Sequence, residues 1–402
     1  VGSDLLRIPP PHCAAALVPA WAPEMAASAP AAAAATQTRL EEERPQAQEE
    51  AAPKRAADDK VREELKRPAQ AGFRNYDDSK FQDRVQRTYY NIQSLHTVEG
   101  VKEKLASFGQ LDKAVMSVEE MMAFLDTIVD ESDPDNDLPQ SYHAYQTAES
   151  VMQRYFTKDR ESVRLKPDGV PIETFFSAGE WRELPDAARR LYKGKTLASL
   201  YANVTDWSWF PLAALIHDLG KVCMEDSFGG MPQWSGVGDT FVLGCDFDAA
   251  NIFADRHYYS DNPDSRNPKL QGKCGIYAPR CGLGELLLSF GHDEYLAIVL
   301  EGHEKDTAER RAAGERVPAR SLPKEAIYMI RFHSFYPWHS PRGAARGYTH
   351  LASDEDWRML PLLKALQKSD LYSKSAELPP IEELQAFYGR LIKEHFLPQL
   401  RW

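Results

Sequence analysis

The sequence predicts an all-α fold, a helical bundle from about residue 73 to residue 402 that follows a low-complexity N-terminal tail. Two observations carry this prediction. Apolar residues recur at helical spacing in several segments after residue 73. Convincing runs of alternating apolar and polar residues, which are typical of strands, are absent; only DTFVLGC, residues 239–245, is expected to pair briefly.

The predicted tail covers residues 1–72. It starts with an Ala/Pro-rich stretch and continues with the charge-dense EEERPQAQEEAAPKRAADDKVREELKRP. Because large apolar side chains are scarce, this region has little surface to bury, and we expect it to be disordered. A targeting peptide is the alternative, which the acidic residues and the scarcity of arginine disfavour.

Composition limits the partners that this protein can have. The 402 residues are 43% hydrophobic, which is enough for one large core. The formal net charge of -12 disfavours nucleic acid as a partner. No apolar run approaches the ~20 residues of a membrane span, and the five cysteines, with no C-x-x-C among them, indicate reduced thiols. We expect a cytoplasmic monomer that binds neither nucleic acid nor membrane.

Capping residues and apolar stripes predict where the helices form. SVEEMMAFLDTIVD opens with a serine cap and acids in its first turn. SYHAYQTAESVMQRYF carries one apolar stripe, which consists of Ala144, Ala148, Val151, Met152 and Tyr155. Further helices are predicted over LGELLLSFGHDEYLAIVL, PKEAIYMIRFHSF, DWRMLPLLKALQKSDLY and IEELQAFYGRLIKEHF. The polar stretches at about residues 157–205 and 303–321 are predicted to be surface insertions.

The stretch LAALIHDLGKV, residues 212–222, ends an apolar helix on two ionisable groups, His217 and Asp218. An ionisable side chain that faces a core needs a partner, because burying it alone is costly. Adjacent helical residues point about 100° apart, so one metal or a metal pair at the helix edge can use both. Taken alone, the dipeptide fits a hydrogen-bonded core histidine beside a solvated acid.

Three further histidines and one further aspartate lie on apolar helix faces, and they favour a metal site over an isolated core histidine. Four imidazoles and two carboxylates on core-facing stripes are the composition of a metal centre, and they belong to His143, His217, Asp218, His292, His333 and Asp370. Six ligands exceed what one catalytic metal with an open position uses, and they suit two metals that share a carboxylate. Asp218 is the natural bridge.

Several long motifs resemble, in order, those of the HD-domain superfamily and, more narrowly, the myo-inositol oxygenase family. They are FRNY, VDESDPDNDLPQSYHAYQTAE, HDLGKV, PQWSGVGDTFVLGC, CGL, GHDEY, YMIRFHSFYPWH, KSDLYSK and LPQLRW. The resemblance spans residues 73–402. It implies an HD-type helical bundle around a mixed-valence Fe(II)/Fe(III) pair, which uses O2 to cleave myo-inositol between C1 and C6 to D-glucuronate. The family's metal ligands fall on the six residues named above.

The resemblance also implies a substrate site. Its contacts fall on Arg74, Asp130, Glu131, Ser132, Lys221, Gly238, Asp239, His333, Ser334 and Lys374. Lys221 lies one helical turn beyond His217, so its ammonium can face the same pocket and stabilise charge on a substrate oxygen. Lys221 and Asp218 are therefore the expected catalytic residues. Without the metal set, Lys221 would be a surface lysine near a helix C-terminus.

Three alternatives stay open at this stage. An HD-type metal-dependent phosphohydrolase would use the same H…HD…D core, but it leaves FRNY, GVGDTF and HSFYPWH unexplained. An inactive, metal-stabilised binding protein conflicts with the complete ligand set. DESDPDND is also compatible with a calcium loop, although it lacks the glycine and the terminal glutamate of an EF-hand.

His339 is assigned to the surroundings of the metal site, not to its ligands.

Removal of residues 1–70 should leave metal content and activity close to those of the full chain, because this segment carries no expected ligand and little apolar surface. The measurement is iron per chain and glucuronate formation for the shortened and the full-length protein. Loss of either would place the domain boundary before residue 70.

Overall fold

Helices provide nearly all of the regular structure in the computed structural model, which describes residues 81–132, 140–156, 165–341, 345–370 and 381–402. In chain order they are α1 (Gln82–Leu95), α2 (Val98–Phe108), α3 (Val118–Leu125), α4 (Gln140–Tyr155), α5 (Ala178–Glu183), α6 (Asp186–Tyr192), α7 (Leu197–Leu200), α8 (Trp209–Ile216), α9 (Gln233–Gly236), α10 (His292–Ala312), α11 (Lys324–Phe332), α12 (Tyr336–His339), α13 (Asp354–Asp370) and α14 (Ile381–His395). The predicted all-α class is confirmed.

The remaining regular structure is short. Two-residue strands β1 (Val115–Met116) and β2 (Leu400–Arg401) pair antiparallel, with Val115 opposite Arg401. Single 3₁₀ turns occupy Ile172–Phe175, Leu219–Met224, Asp226–Phe228, Ala254–Arg256, Tyr258–Asp261, Pro263–Arg266, Pro268–Leu270 and Leu283–Glu285. The strand pair ties the end of the described chain to the segment before α3.

Local sequence signals explain where α3 and α4 form. Ser117 caps α3, since its Oγ accepts the amide of Glu120 at 3.1 Å while the Glu120 carboxylate accepts the amide of Ser117 at 2.8 Å. This reciprocal capping box satisfies two amides that the helix start leaves without partners. The predicted stripe of α4 is buried along its whole length. Both predicted helices are therefore confirmed.

The long helix predicted over LGELLLSFGHDEYLAIVL is wrong in its first half. Helix α10 begins only at His292, after a 3₁₀ turn and an extended segment. In that segment Leu288 bridges to Val242, and the amide of Leu243 donates to the carbonyl of Leu287 at 2.8 Å. The brief pairing expected for residues 239–245 is confirmed. Its partner is distant in sequence, so helical periodicity could not reveal it.

Five helices surround the interior where the predicted ligands meet. Helix α8 is buried on all sides and packs against α4, α11 and α14, while α13 packs against α4 and α11, and α10 against α11. An all-round apolar helix such as α8 belongs at the centre of a bundle. Its C-terminal end therefore delivers His217 and Asp218 to the interior.

The predicted insertions differ in their structure. Residues 303–312 continue α10, and His303 is buried there, so only the residues after Ala312 form a loop. Of residues 157–205, those from 165 onwards form short helices and turns, and 157–164 lie outside the described residues. The predicted tail, residues 1–72, also lies outside them. In the described part of the chain, no helix combines the length and apolar character that a membrane span requires.

Candidate metal centre

The six predicted ligands converge in the interior, and most of them sit at helix ends. His217 follows α8 and Asp218 comes directly after it, His292 begins α10, His333 follows α11, Asp370 ends α13, and His143 lies in the first turn of α4. Helix ends leave backbone groups without intrahelical partners, and these groups can bind side chains.

The first ligand group consists of His143, His217 and Asp370, whose donor atoms lie within 4.8 Å of one another. Asp370 Oδ1 is 2.8 Å from His143 Nε2 and 3.7 Å from His217 Nε2. His143 and Asp370 are partly exposed, whereas His217 is buried. The group therefore has one side toward the solvent and one toward the core.

The second ligand group consists of His292 and His333 around Asp218 Oδ1. This oxygen is 3.2 Å from His292 Nε2 and 3.6 Å from His333 Nε2. The other oxygen, Oδ2, faces the first group at 3.5 Å from His217 Nε2 and 3.9 Å from His143 Nε2. Asp218 thus offers one oxygen to each group, the arrangement of a bridging carboxylate.

Backbone carbonyls orient three of the imidazoles. The Nδ1 atoms of His217, His292 and His333 lie 2.8, 2.8 and 2.6 Å from the carbonyls of Ala214, Gly236 and Ile330. A carbonyl only accepts, so each Nδ1 carries the hydrogen, and each Nε2 faces the interior as the nitrogen that can bind a proton or a metal ion. The Nε2 atoms of His292 and His333 are 3.1 Å apart. Two lone pairs at this separation need a cation between or beside them, so the donor set fits metal ions.

The charges of the site favour a cation as well. Burial opposes the charge of Asp218, yet Lys221 and His217 hold its pKa well below the usual range. Burial likewise opposes the charge of Asp370, and hydrogen bonds from His143 and His217 keep its pKa well below the usual range. Burial lowers the pKa of His217, but Asp218 and Asp370 raise it to about 9. The two ionised carboxylates therefore attract a cation, which can be a proton or a metal ion.

Lys221 is buried beside the second oxygen of Asp218. Its Nζ donates to Asp218 Oδ2, Asp130 Oδ2 and Gln140 Oε1, each at 2.9 Å. An ammonium has three hydrogens, so these partners take all of them. Helix α8 ends at Ile216, and the 3₁₀ turn of Leu219–Met224 then carries Lys221 back toward the site. The surface-lysine interpretation is therefore wrong.

The other expected substrate contacts lie around this ammonium and beside the second group. Asp130 Oδ1 accepts from the amide and hydroxyl of Ser132, at 2.9 and 2.6 Å. Asp239 Oδ1 accepts from Tyr89 at 2.9 Å. Ser334 Oγ lies 3.5 Å from His292 Nε2. These contacts hold the acceptor groups of the site in fixed positions.

The remaining expected contacts are less direct. Gly238 has a φ of 93° and lies against Ile92 and Ser132, so a side chain there would overlap Ile92. Glu131 contributes its backbone amide, which donates to Gln233 at 3.1 Å. Arg74 and Lys374 lie outside the described residues.

The structure adds residues that the sequence analysis did not single out. Gln140 binds Lys221 and Tyr89 binds Asp239. The sequence could have indicated Gln140, since it lies three residues before His143 on the same helical face. No sequence pattern indicates Tyr89, because its partner lies 150 residues further along the chain.

A glycine allows two ligand-bearing segments to approach each other. A side chain at Gly220 would overlap the backbone oxygen of His292. The 3₁₀ turn after Asp218 can therefore lie directly against the first residue of α10. This contact sets the spacing between Asp218 and His292.

Comparison with known proteins supports a family assignment. The sequence model described as Myo-inositol oxygenase matches residues 82–181 and 195–402. The chain is 37% identical to inositol oxygenase of Dictyostelium discoideum over 331 residues, which cover 82% of this chain and 89% of that protein. It is 36% identical to inositol oxygenase of Homo sapiens over 332 residues, 83% of this chain and 91% of that protein. Inositol oxygenase 2 of Arabidopsis thaliana is 36% identical over 333 residues, 82% and 83% of the two chains. The unmatched residues 182–194 fall inside the predicted insertion at 157–205.

Substitution of Gly220 by Ala should weaken metal binding, because the added methyl group displaces the start of α10 and with it His292. We expect the second metal to be lost first, together with a stability decrease of about 2 kcal/mol or more. Metal per chain and chemical unfolding measure both effects. Gly389→Ala is the matched control, because its new side chain meets open space within α14, where alanine is favoured by up to about 1 kcal/mol. Equal metal contents in the two variants would contradict the role of Gly220.

Proposed function

Because this chain belongs to the myo-inositol oxygenase family, we propose that it is an inositol oxygenase, which uses O2 to cleave myo-inositol between C1 and C6 to D-glucuronate. The observation that carries this proposal is the pair of ligand groups that share Asp218, within a chain that matches the family over most of its length. The phosphohydrolase alternative is not favoured, since the matched family acts by oxygenation.

The proposed cofactor is a pair of iron ions, Fe(II) and Fe(III). His143, His217 and Asp370 would hold one ion, His292 and His333 the other, and Asp218 both. When bound, the pair supplies the one-electron redox chemistry that a reaction with O2 requires. Imidazole and carboxylate donors suit iron, zinc and manganese alike, so the choice of iron rests on the family.

The chain's own residues would recognise an uncharged polyol by its many hydroxyl groups. Such a substrate needs several fixed donors and acceptors, because each buried polar group must find a partner. We propose the contacts Arg74, Asp130, Glu131, Ser132, Lys221, Gly238, Asp239, His333, Ser334 and Lys374. Asp130 and Asp239 are supported by their anchoring to Lys221 and Tyr89, which holds their acceptor oxygens in place.

Lys221 has two tasks in this proposal. Its bond to Asp218 Oδ2 keeps that carboxylate ionised and oriented as a shared ligand. Its bond to Gln140 is made to a neutral acceptor, which is a weaker partner than the two carboxylates. A substrate oxygen that gains negative charge can therefore replace Gln140 without disturbing Asp130 or Asp218. Lys221 would thus stabilise charge on the substrate while the ligand framework stays fixed.

We further propose a cytoplasmic monomer. The described cysteines, Cys223, Cys245, Cys274 and Cys281, are free thiols, which fits a reducing compartment. Size-exclusion chromatography with light scattering tests the oligomeric state.

Aerobic incubation of the iron-loaded protein with myo-inositol should yield D-glucuronate, and the protein should hold two irons per chain. Each of the variants His292→Ala and His333→Ala should lose chiefly one of the two irons, because both residues belong to the second ligand group. Iron analysis and a glucuronate assay measure these results. A wild-type protein with one metal ion, or one that forms no glucuronate, would contradict the proposal.

Replacement of Lys221 by Ala should leave both irons in place, because all six ligands remain and bound metal ions would themselves keep Asp218 ionised. It should slow turnover about tenfold or more, because a charge-assisted hydrogen bond contributes about 1.5–3 kcal/mol. His217→Ala should instead lose metal together with activity. Lys102→Ala, at an exposed lysine of α2, is the matched control and should behave like wild type. Wild-type turnover and substrate affinity in Lys221→Ala would remove Lys221 from the site.

A further inference from the structure

A buried histidine holds the backbone of the ligand His333. His333 follows the last residue of α11, so its carbonyl is one of those that a helix end leaves without an intrahelical partner. His339 Nε2 lies 2.8 Å from this carbonyl oxygen, and the His339 side chain is fully buried. Because the carbonyl only accepts, Nε2 of His339 carries a hydrogen and donates it.

The other nitrogen of His339 continues the chain of hydrogen bonds. Its Nδ1 lies 3.1 Å from Ser340 Oγ. With its hydrogen on Nε2, a neutral His339 ring accepts at Nδ1, and the Ser340 hydroxyl is then the donor.

The buried Lys364 is the first donor in this series of hydrogen bonds. Lys364 Nζ lies 3.3 Å from Ser340 Oγ and 2.7 Å from Glu180 Oε1. An ammonium can only donate, so the serine oxygen accepts there and its hydrogen remains available for His339. All the hydrogens thus point one way, from Lys364 to His333. Glu180 balances the buried charge, which would otherwise be costly.

The hydrogen bonds from Lys364 through Ser340 and His339 to His333 connect the helices that carry the two ligand groups. Lys364 lies on α13, which ends at Asp370 of the first group. His333 belongs to the second group and precedes His339 by six residues. The bonded chain therefore fixes the end of α11 relative to α13, and with it the position of His333 relative to Asp370.

We propose that Lys364, Ser340 and His339 are positioning residues that hold His333 at the distance from Asp370 at which two metal ions can share Asp218. This inference rests on the dinuclear centre of the proposed function. Groups that orient a ligand from outside the ligand shell typically change metal affinity by about 10–100-fold when they are removed.

Titration of the metal-free protein with Co(II), followed by the visible absorption of the bound ion, tests this inference without turnover. Lys364→Met and His339→Leu should weaken the second Co(II) about 10–100-fold and leave the first nearly unchanged. His339→Gln should recover most of the loss, because its amide can still donate to the His333 carbonyl. Lys368→Met, one turn further along α13, is the matched control, since its ammonium binds the carbonyl of Thr174 instead.

Each outcome of the titration decides one question. Wild-type affinity for the second Co(II) in Lys364→Met overturns the inference, and this holds even if His339→Leu does not fold. A folded His339→Gln that binds as poorly as His339→Leu also overturns it, because the ring would then only fill space. Wild-type protein that binds one Co(II) contradicts the dinuclear centre itself. In the iron-loaded enzyme, Lys364→Met should lower kcat with little change in KM for myo-inositol.

Discussion

The shared carboxylate of Asp218 is the interaction on which the rest of the site depends. Its two oxygens face different pairs of imidazoles, at 3.2 and 3.6 Å on one side and 3.5 and 3.9 Å on the other. A buried carboxylate is costly unless cations and hydrogen bonds surround it. Lys221 supplies one cation, and the two ligand groups offer places for others. The surrounding helices must therefore end where their side chains reach this one residue.

Helix ends provide the means to aim those side chains. The carbonyls of Ala214 and Ile330 lie in the last turns of α8 and α11, where intrahelical partners run out. Each accepts the Nδ1 hydrogen of the histidine three residues later, His217 or His333. Backbone carbonyls in the last turn of a helix thus turn the Nε2 atoms of the following histidines inward. The carbonyl of His333 itself is bound by His339, so the orientation extends through the backbone to α13.

A described segment that the family model leaves unmatched carries none of the six ligands. It covers residues 182–194, which form the end of α5 and helix α6. One neighbouring residue, Glu180 of α5, nevertheless balances the charge of Lys364. The segment next to the insertion therefore contributes to the support of α13, although it carries no ligand.

The sequence alone determined the helices whose signals are local and the chemistry of the ligands. The capping box at Ser117 and the stripe of α4 depend on neighbours within a few residues, so pattern and structure agree. Tertiary structure decided what depends on distant partners. The pairing of Leu288 with Val242 replaced the first half of a predicted helix, and Asp130 and Gln140 hold Lys221 in the interior, whereas a lysine near a helix C-terminus is by itself expected on the surface. The sequence also could not tell which ligand belongs to which of the two groups. That assignment follows from where separate helices end in space, which no local pattern encodes.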